Sequence, residues 1–178
     1  MPTYISLLRA INVSGKNKII MAELQHLYIS LQCKNVTTYI QSGNIIFTHP
    51  SLNKEQLQTI ITGAINKKFH LKIQGIIITI EELNQIIRES PFKKEDQTKV
   101  YVTILQTTPS EIISEENLIN IKSPTEKIII KNHHIYLFCP DGYGKTKLTP
   151  KFFEKKLNTT TTTRNWNTIT TLYQLAKS

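Results

Sequence analysis

Val36-Thr37-Thr38-Tyr39-Ile40-Gln41-Ser42-Gly43-Asn44-Ile45-Ile46-Phe47-Thr48 decides the fold. Two β-rich runs, residues 36–40 and 45–48, flank Gln41-Ser42-Gly43-Asn44. A glycine that readily takes positive φ makes that tetrapeptide good hairpin chemistry. Upstream, Met21, Leu24, Leu27/Tyr28 and Leu31 recur at helical spacing. Before them, residues 3–9 are short, β-rich and closed by a polar loop, which predicts a strand. Downstream, a helix is expected over residues 54–69, with Leu57, Ile60, Ile61, Ala64 and Ile65 as its apolar stripe and Asn53 as N-cap. Residues 73–79 supply the next strand, so the order is β-α-β-β-α-β, the ferredoxin-like arrangement.

The rest of the chain repeats this pattern. Thr79-Ile80-Glu81-Glu82 has capping-box spacing and starts a helix that Pro91 stops after about residue 89. Tyr101-Val102-Thr103-Ile104-Leu105 echoes Tyr4-Ile5-Ser6-Leu7-Leu8. A weak helix is expected at residues 109–117, a hairpin from residues 126–131 and 134–139, and a helix after Thr149-Pro150. The threonine run at residues 159–163 reads as an extended linker. A last helix places Ile169, Leu172, Tyr173 and Ala176 on one face. The fold class is therefore α+β with two ferredoxin-like halves, β-α-β-β-α-β and then β-α-β-β-α plus a C-terminal helix, a pattern suited to internal duplication. The expected boundaries are residues 1–88 and 99–178, joined by 89–98.

Composition narrows the function classes. With 39% hydrophobic and 20% charged residues, the 178-residue chain fits a globular protein with a core, not a disordered or collagen-like one. Its apolar runs, such as residues 75–80, are too short to cross a bilayer. Met1-Pro2-Thr3-Tyr4 lacks the basic and apolar regions of a signal peptide, and Cys33 and Cys139 have no metal or redox spacing. A reduced, cytoplasmic setting without membrane partners is expected. The net charge of +9 attracts polyanions, and residues 142–178 hold seven cations against one carboxylate. Yet the chain has only three arginines, Arg9, Arg88 and Arg164, and lysine is the poorer tool for bidentate phosphate or base contacts. A solvated basic surface and a nucleic-acid partner both fit the charge, and codon bias from an A·T-rich genome would also enrich lysine.

Four polar segments stand out: Arg9-Ala10-Ile11-Asn12-Val13-Ser14-Gly15-Lys16-Asn17; Gln41-Ser42-Gly43-Asn44; Asp141-Gly142-Tyr143-Gly144-Lys145-Thr146-Lys147-Leu148-Thr149; and Thr163-Arg164-Asn165-Trp166-Asn167. In their order and wording they resemble the signature stretches of the bacterial family known as domain of unknown function 1697. That family begins with a strand running into Arg-Gly-Ile-Asn-Val-Gly-Gly-Lys-Asn. A Ser-Gly-Asn hairpin, a glycine-rich basic loop and Thr-Arg-Asn-Trp-x-Thr follow. Ala10 and Ser14 stand where the family usually has glycine, which bears on the loop's backbone freedom. The resemblance spans nearly the whole chain and implies which loops matter, but no reaction, substrate or cofactor.

Gly144-Lys145-Thr146 follows a strand and precedes a helix, as in a phosphate-binding P-loop. That motif needs a glycine where Cys139 stands, and its helix begins at the lysine, whereas here Thr149-Pro150 starts it. A looser anion site of backbone amides and lysines competes with an ordinary loop. Trp166 and Arg164 are suited to stacking on a ring and clamping a phosphate. In the alternative, Asn167 caps the last helix and Trp166 pins it to the core. Strands one and three of each half are expected to run parallel, so if the halves pack side by side with edges aligned the 9–17 and 141–149 loops can face a common cleft, with the 41–44 turn at the opposite edge of its sheet.

The histidines lack ligand spacing, and His133-His134 point to opposite faces, so no metal is expected. No nucleophile elbow or carboxylate pair occurs in the polar loops, and no cofactor is expected. The residue set Arg9, Asn12, Lys16, Asn17, Gly142, Gly144, Lys145, Thr146 and Arg164 suits anion binding better than acid–base work. The leading expectation is a soluble protein binding a phosphorylated small molecule or nucleotide in a cleft of polar basic loops. The alternatives are an RNA- or DNA-binding protein, an enzyme on a phosphorylated substrate using Lys145 or Ser42, and a purely structural or partner-binding role.

Overall fold

β-branched, apolar runs make the strands, and each segment between them carries its own stop signal. A computed structural model describes residues 1–110 and 113–178. Its elements are β1 (Thr3–Leu8), α1 (Met21–Ser30), β2 (Lys34–Tyr39), β3 (Asn44–Thr48), α2 (Lys54–Phe69), β4 (Gly75–Thr79) and α3 (Ile80–Arg88). Then follow β5 (Val100–Leu105), β6 (Lys127–Ile130), β7 (His134–Phe138), α4 (Pro150–Leu157), β8 (Thr161–Asn165) and α5 (Trp166–Lys177). Two four-stranded antiparallel sheets result, ordered β2-β3-β1-β4 and β6-β7-β5-β8. The chain divides into two units: Met1–Asn84 with Leu172–Ser178, and Gln85–Thr171.

In the first unit, α1 and α2 cover one sheet face. Tyr4, Leu8, Ile45, Phe47 and Ile77 meet Leu24, Tyr28, Leu57, Ile61 and Ile65 in one core. Tyr28 sets its ring edge-on to Phe47 and donates its hydroxyl to Ser6 Oγ at 2.8 Å, so its polar tip is satisfied while buried. The expected caps form. Asn53 and Gln56 make a reciprocal capping box on α2, and Thr79 with Glu82 does the same for α3. The expected α2 stripe holds at Leu57, Ile61 and Ile65, but Ile60 is exposed. In the second unit Leu105, Leu137, Leu148, Phe153 and Leu157 centre the core beneath α4, which Thr149 caps through the amide of Phe152.

Several expectations need correction. The threonine run is no linker: Thr161–Asn165 is β8, pairing antiparallel with β5 and completing the second sheet. Asn165, not Asn167, caps α5, accepting from the amide of Thr168 at 2.8 Å, and Trp166 is half-buried, not pinned in a core. The weak helix expected at residues 109–117 reduces to a 3₁₀ turn at Glu115–Leu118; residues 111 and 112 lie outside the described residues. Most consequential for the site, strands one and three of each unit run antiparallel. The second strand, not the third, is parallel to the first in this topology, and the third is inserted between them.

Candidate functional site

The antiparallel register gathers three connections at one end of the first sheet. Leu7 lies opposite Asn44 and Leu8 opposite Gly75, so the loop after β1, the β2–β3 turn and the start of β4 meet. The 41–44 turn therefore sits beside the 9–17 loop, not at the far edge. The amide of Leu8 donates to Gly43 O, and that of Arg9 to Gln74 O, each at 2.8 Å. Gly43 has φ +78°, and a Cβ there would lie 2.7 Å from Leu8 Cβ and 2.8 Å from Ile11 Cδ1. Glycine is required both for the turn and for this close approach.

The 9–17 loop is rigidly specified. Ala10, Asn12, Ser14, Gly15 and Asn17 all have positive φ, and the amide of Lys16 donates to Val13 O at 2.9 Å, closing a two-residue turn. Asn12 serves as its anchor. Its Oδ1 accepts from the Ile19 amide at 2.9 Å, and its Nδ2 donates to Ile19 O at 3.0 Å and Gln41 O at 2.9 Å. Asn17 Nδ2 donates to Ala10 O at 2.9 Å across the loop's base.

One flank of this loop walls a groove of about 570 Å³ lined by Arg9, Asn17, Thr62, Asn66, Lys72 and Gln74, among others. Two cations and three carboxamides line it with no carboxylate. Asn66 Oδ1 accepts from the Ile73 amide at 2.7 Å, which leaves its Nδ2 as a donor. Sequence reasoning found Arg9 and Asn17 but missed Lys72, Asn66, Thr62 and Gln74. The helical spacing of Thr62 and Asn66, four residues apart on α2, was the one signal that they share a face. Asn12 lines a second depression of about 640 Å³ on the loop's other flank, with Lys18, Met21 and Gln41. Lys16 is exposed at the tip.

The remaining site residues belong to the second unit. Gly142 has φ +99° and opens a 3₁₀ turn at Tyr143–Lys145. The amides of Gly142, Lys145 and Thr146 donate to Cys139 O, Gly142 O and Tyr143 O, so they hold the turn together. Thr146 is buried and its Oγ1 accepts from the Leu148 amide at 3.1 Å, while Gly144 and Lys145 are exposed. Tyr143 ties this turn to β5. Its ring stacks on Tyr101 at 4.5 Å, and burial raises its phenol despite the influence of Thr163 and the Arg164 guanidinium. Arg164 donates to Thr162 Oγ1 at 2.8 Å and Thr163 O at 3.0 Å, and burial lowers it to about 10, still charged at neutral pH. Ser42 Oγ accepts from Asn44 Nδ2 at 2.9 Å. Burial raises both thiols, Cys33 and Cys139, to about 11, which makes them poor nucleophiles. Among the described residues no helix is long and apolar enough to cross a membrane.

Comparison with solved structures finds a match to a conserved bacterial protein, SP0830 from Streptococcus pneumoniae. That match is 26% identical, has a TM-score of 0.73 and covers 100% of this chain and 99% of the other. Comparison with curated proteins gives no match. A family described as "Protein of unknown function (DUF1697)" matches residues 1–136, the stretch that holds the 9–17 loop, the 41–44 turn and the groove beside that loop. The chain belongs to this DUF1697 family.

Proposed function

We propose that the protein binds a phosphorylated small molecule or nucleotide in the groove of the first unit. The observation that carries this reading is the lining: Arg9 and Lys72 with Asn17, Asn66 and Gln74, and no acidic side chain. A dianionic group placed there meets two cations and several N–H donors, the combination that charge-assisted recognition uses. The rigid loop supports it, because a site whose backbone is already fixed loses little freedom on binding. Base recognition on the sheet, as in RNA-recognition domains, is disfavoured. The sheet face away from α1 and α2 carries Ile5, Leu7, Ile46, Ile76 and Ile78, all buried and aliphatic, where such domains expose aromatic rings.

The test is a thermal-shift series with inorganic phosphate, sulfate, sugar phosphates and nucleotides, on the native chain and on Lys72→Ala. Lys72 is exposed and forms no ion pair among the described residues, so the variant should melt as the native protein does. A ligand at a hundred times its Kd stabilises by about 2.7 kcal/mol, a readily measured shift. Lys72→Ala should bind at least tenfold more weakly, which cuts the shift at that ligand concentration to about 1.4 kcal/mol or less. Equal affinity in the two proteins, or no shift with any phosphorylated compound, rejects the reading.

A further inference from the structure

The second unit carries a charge feature that the groove does not use. Along α4 the buried side is Phe153 and Leu157, with Phe152 packed against the same core. Lys151, Lys155 and Lys156 occupy the outer arc, and Lys145 and Lys147 lie exposed in the loop leading into the helix. None of these five lysines forms an ion pair among the described residues, where the Lys–carboxylate pairs are Lys54–Glu82 and Lys127–Glu95. The nearest carboxylates in sequence are occupied elsewhere. Glu154 accepts the amide of Thr161 at 3.0 Å, and Asp141 accepts the hydroxyl of Thr125 at 2.6 Å. α4 carries three lysines against one carboxylate, Glu154, three residues after Lys151.

We propose that the outer arc of α4 and the loop leading into it form a docking face for double-stranded nucleic acid, held through its phosphate backbone without reading sequence. Lysines are mobile point charges that neutralise phosphates but do not match base edges bidentately, so affinity without sequence preference follows. The face presents no exposed aromatic ring for stacking on unpaired bases, which separates it from single-strand platforms. It also presents no exposed apolar side chain for insertion among lipids, which separates it from interfacial membrane helices.

Fluorescence anisotropy with a labelled 20-base-pair duplex of arbitrary sequence, titrated with the full chain from 50 to 200 mM salt, tests this. Five phosphate contacts give a slope of about −4.5 in log K against log salt, an affinity loss of about 500-fold over that range. K151Q/K155Q/K156Q should cut the slope to about −1.8 and the loss to about 12-fold. The arginine counterparts, K151R/K155R/K156R, should restore the native slope, and circular dichroism confirms that all three proteins fold. Lys72→Ala should leave duplex binding unchanged, so this proposal and the groove reading fail separately. Absence of duplex binding at 50 mM salt overturns the proposal, as does an unchanged slope in the glutamine variant. Tighter binding to single strands, or to phosphatidylserine vesicles, also overturns it.

Discussion

At the scale of single residues, His134 shows how a buried group ties stability to pH. It is 6% exposed, and its Nε2 lies 3.1 Å from Tyr136 Oη. The Tyr136 hydroxyl donates to Ile86 O at 2.6 Å, so Nε2 must carry the proton and donate to the phenolic oxygen. Burial lowers His134 to about 4, against the opposing pull of the Glu89 carboxylate 3.9 Å away. The unfolded chain binds a proton near pH 6.5 and the folded one only near pH 4, so between these values the unfolded state holds more protons. Stability from this group is therefore complete above about pH 6.5 and is lost as pH falls toward 4. The loss at pH 4.5 is about 2–3 kcal/mol. His134→Gln keeps a donor for Tyr136 and removes the titration. In urea denaturation it should be less stable than the native chain at pH 7, with the gap closing or reversing by pH 4.5. A gap of equal size at both pH values would show that His134 does not titrate on unfolding.

At the scale of elements, the 9–17 loop carries the next prediction. Ala10 and Ser14, the two positions where glycine is usual in the resembled family, have φ +55° and +50°. An L-residue there costs about 1–2 kcal/mol, partly offset because glycine loses more freedom on folding. Ala10→Gly and Ser14→Gly should each stabilise by about 0.5 kcal/mol, raising Tm by about 1–2 °C. A fall in Tm for both would mean that the loop does not need its left-handed backbone. The same loop shows what the sequence makes legible. Hairpins, caps and helix stripes are local signals, and Asn53, Thr149 and the Gly43 turn announced themselves through spacing and residue type. β8 did not, because Thr161–Asn165 has no apolar residue to alternate. Its case rests on non-local bonds, such as Thr103 Oγ1 to Thr163 Oγ1 at 2.7 Å, and on the β propensity of threonine. The groove was half legible for the same reason. Arg9 and Asn17 sit in a distinctive loop, whereas Thr62, Asn66 and Lys72 belong to α2 and the segment after it, and only the sheet register brings them alongside.

At the scale of the whole molecule, the charge imbalance itself has a measurable consequence. Lysines and arginines number 22 against 13 carboxylates, leaving a net +9 that folding concentrates into a smaller volume. Two unit charges 8 Å apart in water repel by about 0.5 kcal/mol, and the screening length falls from about 30 Å at 0.01 M salt to about 8 Å at 0.15 M. Raising sodium chloride across that range should therefore raise Tm by a few degrees, the reverse of a protein held together by surface ion pairs. Replacing Lys145, Lys147, Lys151, Lys155 and Lys156 by glutamine lowers the net charge from +9 to +4 and, because self-repulsion grows as the square of the net charge, should flatten the salt dependence by about four-fifths. Sulfate at equal ionic strength adds a general stabilisation through exclusion from the surface, common to every variant. Any excess that persists in the five-glutamine protein but disappears in Lys72→Ala is local to the groove. Salt-independent melting of the native chain would mean that its charges are spaced too widely to repel.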